Sequence, residues 1–252
     1  MSDILTGKYK SMSPEAVERL RRSAEGRYKT EKDADRAVRD ALHQISGMYM
    51  SPGEAKSVRR LAQDELSGET IMRILSCHAS TRERLDDIDG FYRDLLDPVQ
   101  PESILDLACG LNPVYLGWRG YDVTGYDMNG DCVDLINLVA ERTGYRMRAY
   151  CRDLLSVDDY PKTDLVLLMK LFPVLESQQK GSSIRLLSKL SARRAIVSFP
   201  TRTISGRGVG MERHYSDWFE SQSLPGYAIA DRRILCGELC YTLERRECRD
   251  DA

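Results

Sequence analysis

Ser103-Ile104-Leu105-Asp106-Leu107-Ala108-Cys109-Gly110-Leu111-Asn112-Pro113 decides how this chain is read. Residues 103–108 form a short, mostly apolar strand, and Cys109-Gly110 ends it. The pattern then repeats. YDVTGYD (121–127) reads as a second strand, RMRAYCRDL (146–154) as a third, TDLVLLMK (163–170) as a fourth and RRAIVSFP (193–200) as a fifth. Helical patterns lie between them at about 129–142 and 174–191. Strands that alternate with helices predict a parallel, doubly wound α/β sheet. Two further strand-like runs, YAIADRRIL (227–235) and ELCYTLERR (238–246), flank Cys236-Gly237, which is hairpin spacing.

Upstream of this sheet the sequence is helical. Ser13-Pro14-Glu15 is a helix start, with Ser as N-cap and Pro in the first turn, and the run VERLRRSAEGRY (17–28) follows. A second helix is expected from about Glu31 to Met50, where Ala34, Val38, Ala41, Leu42, Ile45 and Met48 recur at helical spacing. Ser51-Pro52-Gly53-Glu54 starts another helix, and Ser67-Gly68-Glu69 breaks it. ETIMRILSCH (69–78) and a longer helix over ERLDDIDGFYRDLL (83–96) complete this half. The expected organisation is an all-helical domain over 1–98 and an α/β domain over 99–252.

Composition narrows the function. With 252 residues, 42% hydrophobic and 30% charged, the chain has material for a core and is not disordered throughout. A net charge of -2 excludes a uniformly basic coat and leaves room for a local basic face. Seven cysteines without a CxxC pair, and only three histidines, argue against a disulfide scaffold or a structural zinc site. No run approaches the about 18–20 apolar residues of a membrane span. The opening MSDILTGKYK carries no signal-like apolar stretch. A cytoplasmic protein is the expectation.

In an open α/β sheet, ligands sit beyond the carboxyl ends of the strands. Gly110 lies at that end of the first strand and lets a ligand approach the backbone. The full GxGxxG fingerprint for a pyrophosphate is missing, so the loop suits a cofactor without phosphate, such as S-adenosylmethionine, better than a dinucleotide. Asp127 ends the second strand, where a carboxylate can accept both ribose hydroxyls. Asp153 ends the third strand, where an acid can accept from the adenine amino group while Leu154 covers the ring. Together these acids make an adenosine site. The expected fold class is a class I S-adenosylmethionine-dependent methyltransferase, Rossmann-like, with a helical N-terminal domain. KLFPVLE stands after the fourth strand where amine-methylating enzymes carry Asn/Asp-Pro-Pro-aromatic. No Pro-Cys dipeptide supports cytosine C5 chemistry.

The chain resembles the aminoglycoside-resistance 16S rRNA methyltransferases (the Arm/Rmt group), which modify guanine 1405 at N7. The resemblance rests on LHQISGMY (42–49), HASTRER (78–84), ILDLACGLNP (104–113), KLFPVLE (170–176), SFPTRTISGRGVGME (198–212), Tyr215, WFE (218–220) and GELCY (237–241). It implies that His78 and Ser80 bond the methionine end of the cofactor and that Arg84 holds its carboxylate. It also places Tyr49 and Gln179 near the cofactor. The implied substrate is the assembled 30S subunit, and the implied product confers aminoglycoside resistance.

A basic loop is the visible part of an RNA face. Residues 193–213 hold Arg193, Arg194, Arg202, Arg207 and Arg213 against Glu212 alone, with Gly206, Gly208 and Gly210 between them. Such a loop suits phosphate contacts. Arg202, Arg207, Met211 and Glu212 are the RNA-binding candidates. Glu212 has two readings, a carboxylate that stabilises a cationic product or a structural cap or salt bridge. Trp218 and Phe219 either stack on RNA or pack in the core. Guanine N7 has a free lone pair, so no catalytic base is assigned. Two alternatives remain at this point: a small-molecule methyltransferase, and a non-enzymatic ribosome-binding module that retains the cofactor.

Overall fold

The computed structural model describes residues 9–47, 49–202 and 210–246. Seven strands are ordered β3-β2-β1-β4-β5-β7-β6, with β1 Ile104–Leu107, β2 Val123–Asp127, β3 Met147–Cys151, β4 Leu165–Met169, β5 Arg194–Pro200, β6 Tyr227–Leu235 and β7 Glu238–Arg245. Strands β1, β4 and β5 pair in parallel, as do β2 and β3, while β7 runs antiparallel to both β5 and β6. The expected parallel sheet closed by a hairpin is therefore present. The hairpin turn has φ of +46° at Cys236 and +72° at Gly237, and Leu235 faces Glu238. Two positive φ values in a two-residue turn give the twist that matches the strands.

The helices are α1 Pro14–Ala24, α2 Glu31–Leu42, α3 Pro52–Leu61, α4 Gly68–Ser76, α5 Ala79–Arg82, α6 Ile88–Leu96, α7 Asn112–Trp118, α8 Gly130–Thr143, α9 Leu171–Gln178, α10 Ser182–Lys189 and α11 Met211–Glu220. The expected starts hold. The Ser13 hydroxyl accepts the Ala16 N–H at 3.4 Å. Ser51 and Glu54 form a reciprocal capping box, with N···O distances of 2.7 and 3.2 Å.

Several boundaries differ from expectation. The helix from Glu31 stops at Leu42, and His43–Gly47 form a wider π-type turn. The stretch 83–96 is not one helix, because the Asp87 carboxylate accepts the Gly90 N–H at 3.1 Å and starts α6 afresh. The stretch 174–191 is two helices, since Gly181 takes φ +75° and separates α9 from α10. Helices α7 and α11 were not foreseen. Pro113 sits in the first turn of α7, where a missing N–H costs nothing.

The chain divides into two compact units, Met1–Asp86 with Ala108–Val157 and Asp87–Leu107 with Asp158–Ala252. In the first, α1 and α2 enclose Met12, Val17, Ala24, Val38 and Leu42, with Met128 packed against them. In the second, β4 is buried along its whole length. Phe199 there meets Phe172, Phe219 and Tyr241 at ring-centroid distances of 6.2, 5.2 and 6.1 Å. No helix among the described residues is long and apolar enough to cross a membrane.

Candidate functional site

The loop leaving β1 is held in an unusual conformation. Ala108 has φ +57° and Gly110 φ +51°. A non-glycine residue at positive φ stores strain that its surroundings must hold. At Gly110 a Cβ would stand 2.5 Å from Cε1 of His78, so only glycine fits. His78 is buried and stacks on Tyr49, with centroids 5.9 Å apart and planes 13° apart. The Tyr49 carbonyl accepts the Ala79 N–H at 2.8 Å, which joins the LHQISGMY segment to the HASTRER segment. Arg84 is 0% exposed, and one of its Nη atoms donates to Asn112 Oδ1 at 3.1 Å. A buried guanidinium beside a glycine loop is set up for an anion. Ser80 is half-buried in α5.

The two acids are fixed differently. Asp127 Oδ2 accepts the Gly110 N–H and Oδ1 accepts the Asn129 N–H, each at 2.8 Å. Each oxygen keeps a lone pair for a hydroxyl donor. Burial pushes the Asp127 carboxyl above its ordinary range, and the N–H groups of Asn129, Gly110 and Met128 oppose that rise without cancelling it. The Asp127 carbonyl accepts the Arg152 N–H at 2.8 Å, which sets the end of β3 beside the end of β2. β3 stops at Cys151, so Asp153 does not end the strand as expected but lies in the loop two residues beyond it, nearly enclosed, with buried Leu154 next to it. Its carboxylate is gripped by Arg19 of α1 at 2.6 and 3.1 Å. Sequence reading missed Arg19, and it missed Asn112 as the partner of Arg84.

Tyr49, His78, Arg84, Gly110, Asp127 and Asp153 are thus linked by contacts within the first unit. The donor set suits an adenosine attached to an amino-acid carboxylate. Two hydroxyl-accepting oxygens, a glycine cradle and a buried guanidinium are all present.

The remaining described candidates lie in the second unit. Gln179 caps the end of α9 and is exposed. Arg202 is exposed, Met211 and Glu212 open α11, and Arg207 lies outside the described residues. Glu212 accepts from Arg232 at 2.9 Å, so it is engaged in a salt bridge. Phe219 is wholly buried, and half-buried Trp218 sits edge-on to Phe199 at 6.1 Å. The unit also holds a cluster that sequence reading passed over. Lys170, at φ +53°, pairs with Glu238 at 3.5 Å, and the Ser198 hydroxyl donates to Glu238 at 2.6 Å.

Comparison with known proteins gives the family. Residues 6–242 match the family described as "Ribosomal RNA methyltransferase (FmrO)". The chain belongs to this ribosomal RNA methyltransferase family. One relative, the 16S rRNA (guanine(1405)-N(7))-methyltransferase of Serratia marcescens, is 36% identical over 97% of this chain and 96% of its own. The protein of that name from Micromonospora echinospora is 32% identical, covering 94% of this chain and 92% of its own. Among solved structures of the family, the 16S rRNA methyltransferase RmtF in complex with S-adenosyl-L-homocysteine superposes with a TM-score of 0.89 at 41% identity. It covers 96% of this chain and 95% of its own.

Proposed function

We propose that this protein transfers a methyl group from S-adenosylmethionine to N7 of guanine 1405 of 16S rRNA in the 30S subunit, giving aminoglycoside resistance in the cytoplasm. The observation that carries this reading is near full-length relationship, at 36% identity, to a protein named for that reaction. The linked residues around Gly110 support it. Asp127 holds the ribose hydroxyls, and Asp153 with Leu154 holds the adenine. Gly110 lets the cofactor lie against the backbone. Arg84, His78 and Ser80 hold the methionine end, with Tyr49 beside them.

When bound, S-adenosylmethionine supplies an electrophilic methyl group on a sulfonium. Guanine N7 carries a free lone pair, so no residue has to take a proton. The protein's work is alignment of the base with the methyl group and exclusion of water. The base leaves its stack to reach the site. Residues 1–98 dock on rRNA, and Arg202, Arg207 and Met211 contact it beside the target. Glu212 is tied to Arg232 in a salt bridge at the start of α11, which supports its structural role over stabilisation of a cationic product.

The test is transfer of labelled methyl from S-adenosylmethionine to isolated 30S subunits, to naked 16S rRNA and to a panel of small nucleophiles. Label on the 30S subunit supports the reading. Label on small molecules alone favours a small-molecule enzyme, and binding without transfer favours a ribosome-binding module.

A further inference from the structure

The start of the described chain touches both carboxylate loops of the adenosine site. Ser13 N–H donates to the Met128 carbonyl at 2.8 Å, and Gly130 N–H donates to the Ser11 carbonyl at 2.7 Å. Met12 and Asn129 form an antiparallel bridge between them. Residues 128–130 follow Asp127 directly. The approach is so close that a Cβ at Gly130 would lie 2.4 Å from the Ser11 carbonyl oxygen. Under two turns further along α1, Arg19 reaches Asp153. Its Nε is 2.6 Å from Oδ2 and one Nη is 3.1 Å from Oδ1. The Ser156 hydroxyl adds a donor to Oδ2 at 2.8 Å, and the Leu155 N–H one to Oδ1 at 3.4 Å. The two side chains are 23% and 5% exposed. A carboxylate held by a planar fork has one orientation, because both N–H bonds must be satisfied at once.

We propose that α1 is part of the cofactor site, with Arg19 as a positioning residue that aims the Asp153 carboxylate at the adenine amino group. The strap 11–13 steadies the loop behind Asp127 in the same way. The inference rests on the adenosine reading of Asp153 given above.

The test is calorimetric titration of the full chain with S-adenosylhomocysteine and with S-inosylhomocysteine, whose base carries an oxo group in place of the amino group. The variants are Arg19→Ala, Arg19→Lys, Asp153→Asn and the Arg19→Ala/Asp153→Asn pair. Arg19→Ala weakens the adenosyl ligand about tenfold, the scale of a lost charge-assisted hydrogen bond, and changes the inosyl ligand little. Arg19→Lys does not restore discrimination, because a point charge cannot hold both oxygens. The double variant matches Asp153→Asn alone, as coupled residues do. A misfolded fraction lowers the stoichiometry and leaves the ratio of the two Kd values intact. Equal weakening of both ligands by Arg19→Ala, or none, overturns the inference while the adenosine reading stands. If Asp153→Asn leaves discrimination unchanged, the adenine assignment of Asp153 fails and the positioning role falls with it.

Discussion

Nζ of Lys170 lies 3.5 Å from Oε1 of Glu238, and the two side chains are 10% and 2% exposed. Lys170 stands at the end of β4, with its own N–H on the Ser198 hydroxyl at 3.0 Å. The same hydroxyl donates to Glu238. Charges this enclosed are costly to leave without a partner. Truncating one partner removes this buried pairing, so Glu238→Ala is expected to lose about 3 kcal/mol of stability. The Lys170→Met/Glu238→Gln pair should recover part of that loss. Denaturant unfolding of the three variants measures it, and strict additivity would show that the two residues do not act together.

Asp127 gives a binding prediction with a pH signature. Asp127→Ala should weaken S-adenosylhomocysteine by about 2 kcal/mol, the scale of a hydrogen bond to a charged group. Only the ionised carboxylate accepts both ribose hydroxyls. Burial raises its pKa above the ordinary 3.8, so the free protein protonates it earlier than an exposed aspartate. Affinity should therefore hold at neutral pH and fall as acidity passes through that raised value. Binding in this window should release a proton, visible as a dependence of the calorimetric heat on the buffer's ionisation enthalpy. Asp127→Ala should abolish that release.

Much of this site was legible in the sequence. Asp127 ends β2 and Asp153 stands two residues past the end of β3, and an acid at the ligand edge of a strand is a local signal. The Cys236-Gly237 turn was legible for the same reason, since two strand-like runs left it two residues. The grip of Arg19 on Asp153 was not, because the pair is 134 residues apart and α1 offers other arginines. The burial of Arg84 was hidden too. A run of Arg, Glu and Asp reads as a solvated helix until Asn112 is known to face it. Lys170 at positive φ has no signature in composition, and the breaks at Asp87 and Gly181 lie inside stretches with helical spacing.

Trp218 separates packing from RNA contact. It is half-buried against Phe199, beside fully buried Phe219. A wholly enclosed tryptophan costs about 3–5 kcal/mol when cut to alanine, so a partly exposed one should cost about 1–3 kcal/mol. Thermal unfolding of Trp218→Ala should show that loss. An unchanged melting temperature with reduced methylation of 30S subunits would assign the ring to RNA stacking instead.

Expression in a susceptible bacterium should protect against 4,6-disubstituted deoxystreptamine drugs such as gentamicin and kanamycin. A methyl group and a positive charge at guanine N7 block a contact surface and repel polycationic drugs. Neomycin-type and apramycin-type compounds should keep their potency. Protection that extended to apramycin would point to the neighbouring adenine N1 reaction.

The most direct measurement maps the modified base. 30S subunits are incubated with the protein and S-adenosylmethionine, the 16S rRNA is extracted, and borohydride reduction with aniline cleavage reveals N7-methylguanine. A single new scission at guanine 1405, absent without cofactor and lost with Asp127→Ala, is the expected result. Methyl incorporation without scission at that nucleotide, or no incorporation by a folded protein that binds the cofactor, would contradict it.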